Sequence, residues 1–367
     1  MRISAIFKSF NRLDAHLLID FNDRNFMSVN LENTLRESGF QDDCIALILN
    51  LIQTYGQSLG QESWQSLGKV EMSNDSPLVV FDCDQTLIQG DLGEVLLKHM
   101  WTTGMIKTLG TYEKQAIIAV CHQAHQSEEK VLEAYQYALQ QSDRYFGYLW
   151  DLYLYICQQK IEMGYLFAAA CITHLPKEQR ADFCRRFLTT IQKQGQPFHT
   201  LKSTYLGLSQ IEKVLEFSVD DLKKNDFFDH FNTKREIWGA IQPYLAQKNL
   251  VSILQHHQID VAIISSSNQD MVALMGEFFE IPQNRCIAVL FDDQTVVEPI
   301  PINQQKIDAC LHYLGRLPIL MVGDSAYDLP LMEKSKFGIL IDYQKEKVRE
   351  KAMSMGAILQ DFKFLKY

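Results

Sequence analysis

No apolar stretch in this chain is long enough to cross a membrane. A membrane helix needs roughly 18 consecutive apolar residues, and no run in the 367 residues approaches that length. The strongest candidate, at 45–52, is typical of one face of a buried helix. Residues 1–18 also lack the uninterrupted apolar segment and small-residue cleavage site of a secretory signal. We therefore expect no membrane span and a cytoplasmic location, while a signal-independent export route would leave no mark on the sequence.

Basic clusters and paired cysteines are missing as well. The formal net charge is -10 and the chain has no block of Lys and Arg, so nucleic acid is not expected as a partner. The eight cysteines are scattered without a C-x-x-C pair. This distribution indicates small buried hydrophobes in a reducing compartment rather than a disulfide framework.

Short runs of branched and aromatic residues, typical of strands buried on both faces, occur in two parts of the chain. Amphipathic helical patterns at 268–279 and 303–314 alternate with the later runs. Alternation of this kind predicts an α/β fold with a Rossmann-like, doubly wound parallel sheet. The runs lie at 78–82, 261–265, 286–291, 318–324 and 337–342.

A long segment separates the first of these runs from the second. It extends from about 92 to 245 and contains many helical patterns but few strand patterns. Because a structureless loop of that length is uncommon inside a compact domain, we predict a large helical cap inserted after the first strand motif. The predicted domains are a helical N-terminal region at 1–76, a core at 77–92 and 245–367, and the cap at 93–244.

Polar side chains follow the apolar runs where parallel strands would end. Ligands of doubly wound sheets bind beyond the carboxyl ends of the strands, so we expect these side chains to converge. Carboxylates so close together repel one another unless a cation lies among them, and oxygen ligands suit Mg²⁺. A carboxylate nucleophile, a second acid, a metal, a hydroxyl and a lysine are the groups required for phosphoryl transfer through an aspartyl-phosphate. The residues are Asp82 and Asp84 after the first run, Ser265 after the second, Asp324 and Asp328 after the fourth, and Lys306 shortly before the fourth.

These residues, in this order, resemble the four motifs of the haloacid dehalogenase superfamily. The similarity is to its phosphatases, in the branch of the phosphoserine and phosphocholine phosphatases, and it covers about 77–92 and 245–367. That part of the chain is accordingly expected to be the catalytic core. The matches are D-x-D-x-T at 82–86, an apolar strand that ends in Ser265, Lys306 upstream of the fourth strand, and G-D-x-x-x-D at 323–328.

The resemblance implies a role for each residue that handles the phosphoryl group. Asp82 would attack phosphorus and become phosphorylated. Asp84 would protonate the leaving oxygen and later act as base on the hydrolytic water. Ser265 and Lys306 would bind the phosphoryl oxygens and neutralise developing charge. An acid at Asp84 favours a phosphatase over a dehalogenase, because an alkoxide leaving group needs a proton and a halide does not.

The resemblance also implies a Mg²⁺ site. Its ligands would be the carboxylates of Asp82 and Asp324 and the backbone carbonyl of Asp84. Asp328 would be a further ligand, directly or through water, or it would orient Lys306.

Other residues near the motifs could contact the rest of the substrate. Asp91 lies where phosphoserine phosphatases carry an acid that contacts the ammonium group of the substrate. Asp91 and Glu94 are equally typical of a helix start, with Asp91 at the N-cap, and the two interpretations are compatible. Ser266, which with Ser267 replaces a Gly of the family pattern, keeps a small residue near the phosphate. The aromatic stretch at 145–156 is more typical of a helical core than of a cage for a quaternary ammonium.

The sequence thus predicts a Mg²⁺-dependent phosphomonoester hydrolase. Its expected substrate is a small phosphorylated metabolite, with an amine-bearing one as the narrower hypothesis. One alternative is a protein phosphatase that acts on phosphotyrosine or phosphoserine. Another is a weakly active protein of the same fold that serves as an interaction module.

Overall fold

The computed structural model describes residues 31–56, 76–193, 198–205, 211–224, 233–238 and 241–366. Residues 1–30 and 57–75 of the predicted N-terminal region lie outside these ranges. The helices are α1 (Leu31–Glu37), α2 (Asp42–Tyr55), α3 (Leu92–Thr102), α4 (Thr111–Gln123), α5 (Glu128–Gln140), α6 (Phe146–Gln159), α7 (Ile161–Ala170), α8 (Lys177–Lys193), α9 (Val219–Lys223), α10 (Leu245–His256), α11 (Gln269–Phe279), α12 (Gln305–Leu314), α13 (Leu329–Lys334) and α14 (Glu346–Ser354). The strands are β1 (Leu78–Phe81), β2 (Ile88–Gln89), β3 (Phe198–Tyr205), β4 (Thr233–Trp238), β5 (Gln242–Pro243), β6 (Asp260–Asn268), β7 (Cys286–Val289), β8 (Phe291–Asp292), β9 (Thr295–Val296), β10 (Leu320–Gly323), β11 (Phe337–Asp342) and β12 (Ile358–Asp361).

A six-stranded parallel sheet forms the centre of the molecule. Its strand order is β12-β11-β10-β1-β6-β7, and every neighbouring pair is parallel. Successive side chains of β1 enter different apolar cores: Val79 and Phe81 pack on one face, and Leu78 and Val80 pack on the other. The continuous apolar run of β1 follows from this double burial. The prediction of an α/β chain with a parallel central sheet is confirmed, and the arrangement is consistent with a Rossmann-like fold.

The chain reverses its direction of winding at β1. From β1 it proceeds to β6 and β7 on one side, and then returns to place β10, β11 and β12 on the other side. At such a switch point the connections leave the carboxyl ends of neighbouring strands in opposite directions, and a crevice opens between them. The crevice at the ends of β1 and β10 is where the first and fourth motifs meet.

The edge strand β12 was not predicted from the sequence. Only one of its four residues is buried, so the segment lacks the apolar run by which the central strands were recognised. The N-terminal helices cover this edge. The backbone N–H of Gln41 donates to Oε1 of Gln360 at 2.9 Å, and the N–H of Asp361 donates to Oε1 of Gln41 at 2.8 Å. Residues of the predicted N-terminal region therefore protect the open edge of the sheet.

The long segment after β1 leaves and returns at one place, because β2 pairs antiparallel with β5. Its helices α3 to α8 pack around buried aromatic rings, and Trp101 makes edge contacts with Trp150 and Phe167. The predicted aromatic helix is α6, and the rings of its 146–156 part lie mostly in this core. The segment also contains an antiparallel ribbon of β3 and β4, which was not predicted. The proposed domain boundaries remain predictions.

In the described part of the chain, no helix has the length and apolarity needed to cross a membrane. All eight cysteines lie in described positions, and all are free thiols that are buried or half-buried. The absence of a disulfide among them agrees with the sequence-based expectation.

Candidate active site

The loop after β1 carries the first two acids into the crevice. Asp82 directly follows the strand, and the backbone N–H of Gln85 donates to the carbonyl of Gly90 as the chain turns. Gln85 has φ 56°, a left-handed conformation that costs a non-glycine residue roughly 1–2 kcal/mol. Strained backbone of this kind persists where the surrounding structure enforces it, often at functional sites. The turn brings Asp84 against the start of α3.

A buried lysine joins the first motif to the fourth. Lys306, in the first turn of α12, is 1% exposed. Its Nζ donates to Oδ1 of Asp82 at 2.8 Å and to Oδ1 of Asp328 at 2.6 Å. Burial by itself lowers the pKa of Lys306, but attraction to Asp328 and Asp82 outweighs it and raises the pKa above its ordinary value. The lysine therefore stays charged and holds the two carboxylates in fixed positions.

Asp328 is surrounded by donors. Its Oδ2 accepts from the backbone N–H groups of Asp324 and Ser325 at 3.2 and 3.0 Å and from the Ser325 hydroxyl at 2.8 Å. A Cβ built on Gly323 would lie 2.5 Å from Cβ of Asp328, so the glycine of this motif provides the space for the carboxyl group. With Lys306 on Oδ1, both oxygens are occupied. Of the roles predicted for Asp328, these contacts favour orientation of Lys306.

Three carboxyl groups form a cluster that could hold a metal ion. Oxygens of Asp82, Asp324 and Asp328 all lie within 4.8 Å of one another, and the three residues are buried. Burial, opposed by Lys306 and aided by Asp328, raises the pKa of Asp82 to about 8. Burial and repulsion from Asp328 also raise the pKa of Asp324 well above its usual range. Nζ of Lys345 lies 3.5 Å from Oδ2 of Asp324. An all-oxygen site with too little positive charge fits a hard divalent cation.

Asp84 is not part of that cluster, and its carboxyl group is held from two sides. Its Oδ1 accepts from the backbone N–H of Leu92 at 2.7 Å. Its Oδ2 accepts from the hydroxyl of Ser267 at 2.6 Å and from that of Ser265 at 3.4 Å. Burial, together with the charge of Asp91, raises the pKa of Asp84 to about 7. A carboxyl group with such a pKa can carry or accept a proton near neutral pH, as the predicted acid/base role requires.

The three serines at the end of β6 have different surroundings. Ser265 is fully buried, and its Oγ accepts from the N–H of Ser267 at 3.1 Å; it is not among the described residues that line the cavity. Ser266 does line the cavity, and its hydroxyl donates to the carbonyl of Pro301 at 3.1 Å. Ser267 was not predicted as a site residue. Because side chains two apart in a strand share a face, its spacing from Ser265 was the available signal.

A cavity of about 190 Å³ lies over these groups. Asp91 lines it and also caps α3, since its Oδ1 accepts from the N–H of Glu94 at 2.8 Å. Both predicted interpretations of Asp91 therefore remain open. Burial and the charge of Glu94 raise the pKa of Asp91 to about 7. The Glu94 side chain is not part of the described lining. The lining residues are Asp82, Asp84, Gln85, Asp91, Tyr165, Ser266, Ser267, Lys306, Asp324, Ser325, Ala326, Tyr327, Lys345 and Val348.

Several lining residues were not predicted from the sequence, among them Tyr165 and Lys345 outside the motifs and Tyr327 at a variable position of the fourth motif. Tyr165 comes from α7 and Tyr327 from the loop between Asp324 and Asp328. Their rings meet edge to face at 5.5 Å and 88°. Lys345 precedes α14. No local pattern distinguishes these residues in the sequence, because each reaches the cavity only through the packing of its helix or loop.

No protein-family model and no curated protein matches this chain. Its fold is similar to that of a conserved functionally unknown protein from Anaerococcus prevotii DSM 20548, with a TM-score of 0.53, 14% identity and coverage of 88% of this chain and 92% of that one. A protein with unknown function from Bordetella pertussis Tohama I matches with a TM-score of 0.42 and 14% identity, over 77% of this chain and 97% of that one. At this identity the first similarity concerns the fold alone.

Proposed function

We propose that this chain is a phosphomonoester hydrolase that works through an aspartyl-phosphate on Asp82. The resemblance of its motifs to those of the haloacid dehalogenase superfamily suggests the reaction. The observation that carries it is the buried Lys306, which bridges Asp82 and Asp328 beside Asp324. The lysine contacts Oδ1 of Asp82, and in our proposal Oδ2 is the nucleophile. A fixed ammonium beside a nucleophilic carboxylate also stabilises the negative charge of a phosphoryl group.

In the first half-reaction, an oxygen of Asp82 forms a bond to phosphorus while the bond from phosphorus to the leaving oxygen breaks. The proton of the Asp84 carboxyl group moves to the leaving oxygen and releases an alcohol. Lys306 holds Asp82 in line for the attack and offsets negative charge on the phosphoryl oxygens. The pKa of Asp84, raised to about 7 by burial and Asp91, supports an acid that retains its proton near neutral pH.

In the second half-reaction, a water oxygen bonds to phosphorus and the acyl-phosphate bond to Asp82 breaks. Asp84, now a carboxylate, takes the proton that the water loses. The net change is hydrolysis of a phosphomonoester to an alcohol and inorganic phosphate, and both acids return to their starting states. The cycle therefore requires no other proton donor or acceptor.

The carboxylates of Asp82 and Asp324 are the residues that would hold Mg²⁺, with the Asp84 carbonyl as the further ligand implied by the resemblance. The close, buried oxygens of the cluster support this assignment. A bound Mg²⁺ would offset the charge of the carboxylates and of the phosphoryl group. Asp328 has donors on both oxygens, so we assign it to the orientation of Lys306.

The inserted helices are proposed to act as a cap that excludes water and selects the leaving group. Tyr165 of α7 supports this role, because it lines the cavity and contacts Tyr327 of the core. The volume of about 190 Å³ favours a small substrate. Asp91 in the lining favours a cationic leaving group, such as an amine-bearing alcohol.

The assay that tests this proposal is hydrolysis of p-nitrophenyl phosphate with Mg²⁺ and with EDTA. Wild type is expected to release phosphate only with Mg²⁺. Asp82→Asn should lose about 10³-fold or more, because an amide cannot form the intermediate. Asp182→Asn, which changes an exposed acid paired with Arg186, is the matched control and should match wild type. An inactive wild type, or an Asp82→Asn variant with full activity, would contradict the proposal and favour an interaction module.

A further inference from the structure

We propose that Ser267 is a positioning residue for proton transfer, because it holds the carboxyl group of Asp84. This inference rests on the proposed hydrolase function and extends it to a residue outside the four motifs. Ser267 is 6% exposed, and its hydroxyl lies 2.6 Å from Oδ2 of Asp84. Its own position is set by its backbone N–H, which donates to the hydroxyl of Ser265 at 3.1 Å.

Two elements hold the two oxygens of Asp84. The N–H of Leu92, at the start of α3, donates to Oδ1 at 2.7 Å, whereas Ser267, near the end of β6, contacts Oδ2. A backbone N–H can only donate, and a carbonyl oxygen is a better acceptor than the hydroxyl oxygen of a carboxylic acid. The contact with Leu92 therefore favours Oδ1 as the unprotonated oxygen and Oδ2 as the one that carries the proton of Asp84. This oxygen is the one that Ser267 contacts.

A hydroxyl suits Oδ2 because it can both accept and donate. When Asp84 is an acid, the Ser267 hydroxyl accepts a hydrogen bond from Oδ2, or it lies beside Oδ2 while the Oδ2 proton points toward the leaving oxygen. After the Oδ2 proton has moved to the leaving oxygen, the Ser267 hydroxyl donates to the new carboxylate. When Asp84 takes a proton from water, the exchange is reversed. Ser267 thus keeps the same oxygen oriented toward the reaction in both half-reactions, while the proton itself passes between Asp84 and the reactants.

Without the Ser267 hydroxyl, Oδ2 would keep only the longer contact to Ser265, at 3.4 Å. The carboxyl group could then rotate away from the leaving oxygen. The consequence depends on the leaving group. An alkoxide must receive a proton as it departs, whereas p-nitrophenolate is stable as an anion and needs none. A defect in the positioning of Asp84 should therefore slow alkyl phosphates more than aryl phosphates, and a general loss of structure should slow both alike.

The experiment compares kcat/KM for glycerol 2-phosphate and p-nitrophenyl phosphate in Mg²⁺, because kcat/KM reports the transfer of the phosphoryl group to Asp82 and excludes the hydrolysis of the intermediate, which is the same for both esters. Ser267→Ala is expected to lower kcat/KM on the alkyl ester by about 10- to 100-fold, as part of the 10²- to 10⁴-fold that acid/base groups contribute. On the aryl ester the loss should be less than about 3-fold. Asp84→Asn should show the same selectivity with a larger loss. Ser267→Thr, which keeps the hydroxyl, should restore the alkyl rate, and its isostere Ser267→Val should not.

Equal losses of kcat/KM on both esters, or a Thr variant no better than Val, would overturn the role of Ser267. If Ser267→Ala does not fold, the Thr and Val pair gives the same comparison at matched shape. Failure of this inference is distinct from failure of the hydrolase proposal. In the first case wild type hydrolyses both esters and Asp82→Asn does not. In the second, wild type hydrolyses neither ester, and both proposals fall.

Discussion

Asp82, Asp324 and Asp328 place three carboxyl groups in a buried space, and Lys306 and Lys345 are the described cations in contact with them. Lys306 is committed to Asp82 and Asp328, whereas Lys345 has a half-exposed side chain and a longer contact to Asp324. Burial first, and then the remaining negative charge of the neighbouring carboxyl groups, raises the pKa of Asp82 and of Asp324. The two lysines therefore leave part of the negative charge of the three carboxyl groups uncompensated, and a bound divalent cation would balance it.

Without metal, this cluster should make the folded chain less stable as pH rises from about 4 to about 8. The ordinary pKa of Asp82 is 3.8 and its folded value is about 8. Between these values the folded state keeps a proton that the unfolded state has released, so stability falls as pH rises. We expect a lower Tm in EDTA at pH 8 than at pH 5. Mg²⁺ at 100 times its Kd should raise the free energy of unfolding by about 2.7 kcal/mol at pH 8. Its stabilising effect should be larger at pH 8 than at pH 5.

Asp324→Asn provides the matched variant for this measurement. Removal of one buried charge should raise Tm in EDTA at pH 8, and removal of a metal ligand should abolish the Mg²⁺ shift. Asp182→Asn, with its exposed side chain, should behave as wild type. A Mg²⁺ shift of equal size in Asp324→Asn and wild type would show that the ion binds elsewhere.

At the scale of elements, aromatic rings join the inserted helices to a loop and to the small β8–β9 sheet of the predicted core. Tyr165 of α7 packs on Tyr327 at the cavity, and Tyr112 of α4 packs on Phe291 of β8 with ring centroids 5.3 Å apart. Both are edge contacts of the kind that aromatic pairs prefer. Only the first pair belongs to the described lining of the cavity, so the two contacts should have different consequences when they are removed.

Tyr165→Ala should raise KM for a small alkyl phosphate by about 2- to 10-fold, which corresponds to the 0.5–1.5 kcal/mol of an aromatic pair. The reason is that one wall of the cavity becomes less ordered. Tyr165→Phe keeps the ring and should keep the wild-type KM. Tyr112→Ala removes a similar ring contact away from the cavity, together with the hydroxyl that accepts from the N–H of Val296, so it should lower Tm without a rise in KM. Steady-state kinetics and thermal unfolding of the three variants decide the matter, and an unchanged KM in Tyr165→Ala would argue against a cap at this position.

At the scale of the whole molecule, the parallel sheet and the inserted helical segment together form the small cavity over the acids, whereas described residues of the predicted N-terminal region cover the β12 edge of the sheet. The pairing of β2 with β5 brings the two ends of the insert together at the crevice. The α7 helix of that insert then reaches the cavity through Tyr165. Under the proposed function, this arrangement would limit the size of the substrate more than the four motifs would, since in that proposal the motifs handle only the phosphoryl group.

We therefore expect kcat/KM for a small phosphomonoester to exceed that for a phosphotyrosyl peptide by about 10²-fold or more, because a peptide cannot be enclosed in about 190 Å³. Phosphocholine, phosphoserine and a phosphotyrosyl peptide, assayed side by side by phosphate release, provide the comparison. Equal or greater efficiency on the peptide would favour the protein-phosphatase alternative. A preference for phosphocholine or phosphoserine would agree with an acid such as Asp91 in the lining.

Local patterns were sufficient to predict β1, β6, β10 and β11, the four central strands that are apolar on both faces. They also predicted β7, although the predicted run extends to 291 and the strand ends at Val289. They were also sufficient for the acids at the strand ends, because residues after parallel strands must share one edge of the sheet. They were insufficient for β12, which is partly polar, and for Tyr165, Tyr327 and Lys345. They also left the role of Asp328 open, since its contact with Lys306, 22 residues away, favours one of the predicted roles. Both interpretations of Asp91 stay open in the structure as well.

The sequence by itself determined the class of sheet and the residues gathered at its edge, since both follow from the order of apolar runs and the types of residue that end them. Only the tertiary structure decided which side chains those residues contact. Lys306 donates to Asp82 and Asp328, the Ser267 hydroxyl contacts Asp84, and the ring of Tyr165 packs against that of Tyr327. The physical reason is distance: a hydrogen bond or a ring contact depends on a few ångströms, and packing rather than local pattern sets those positions.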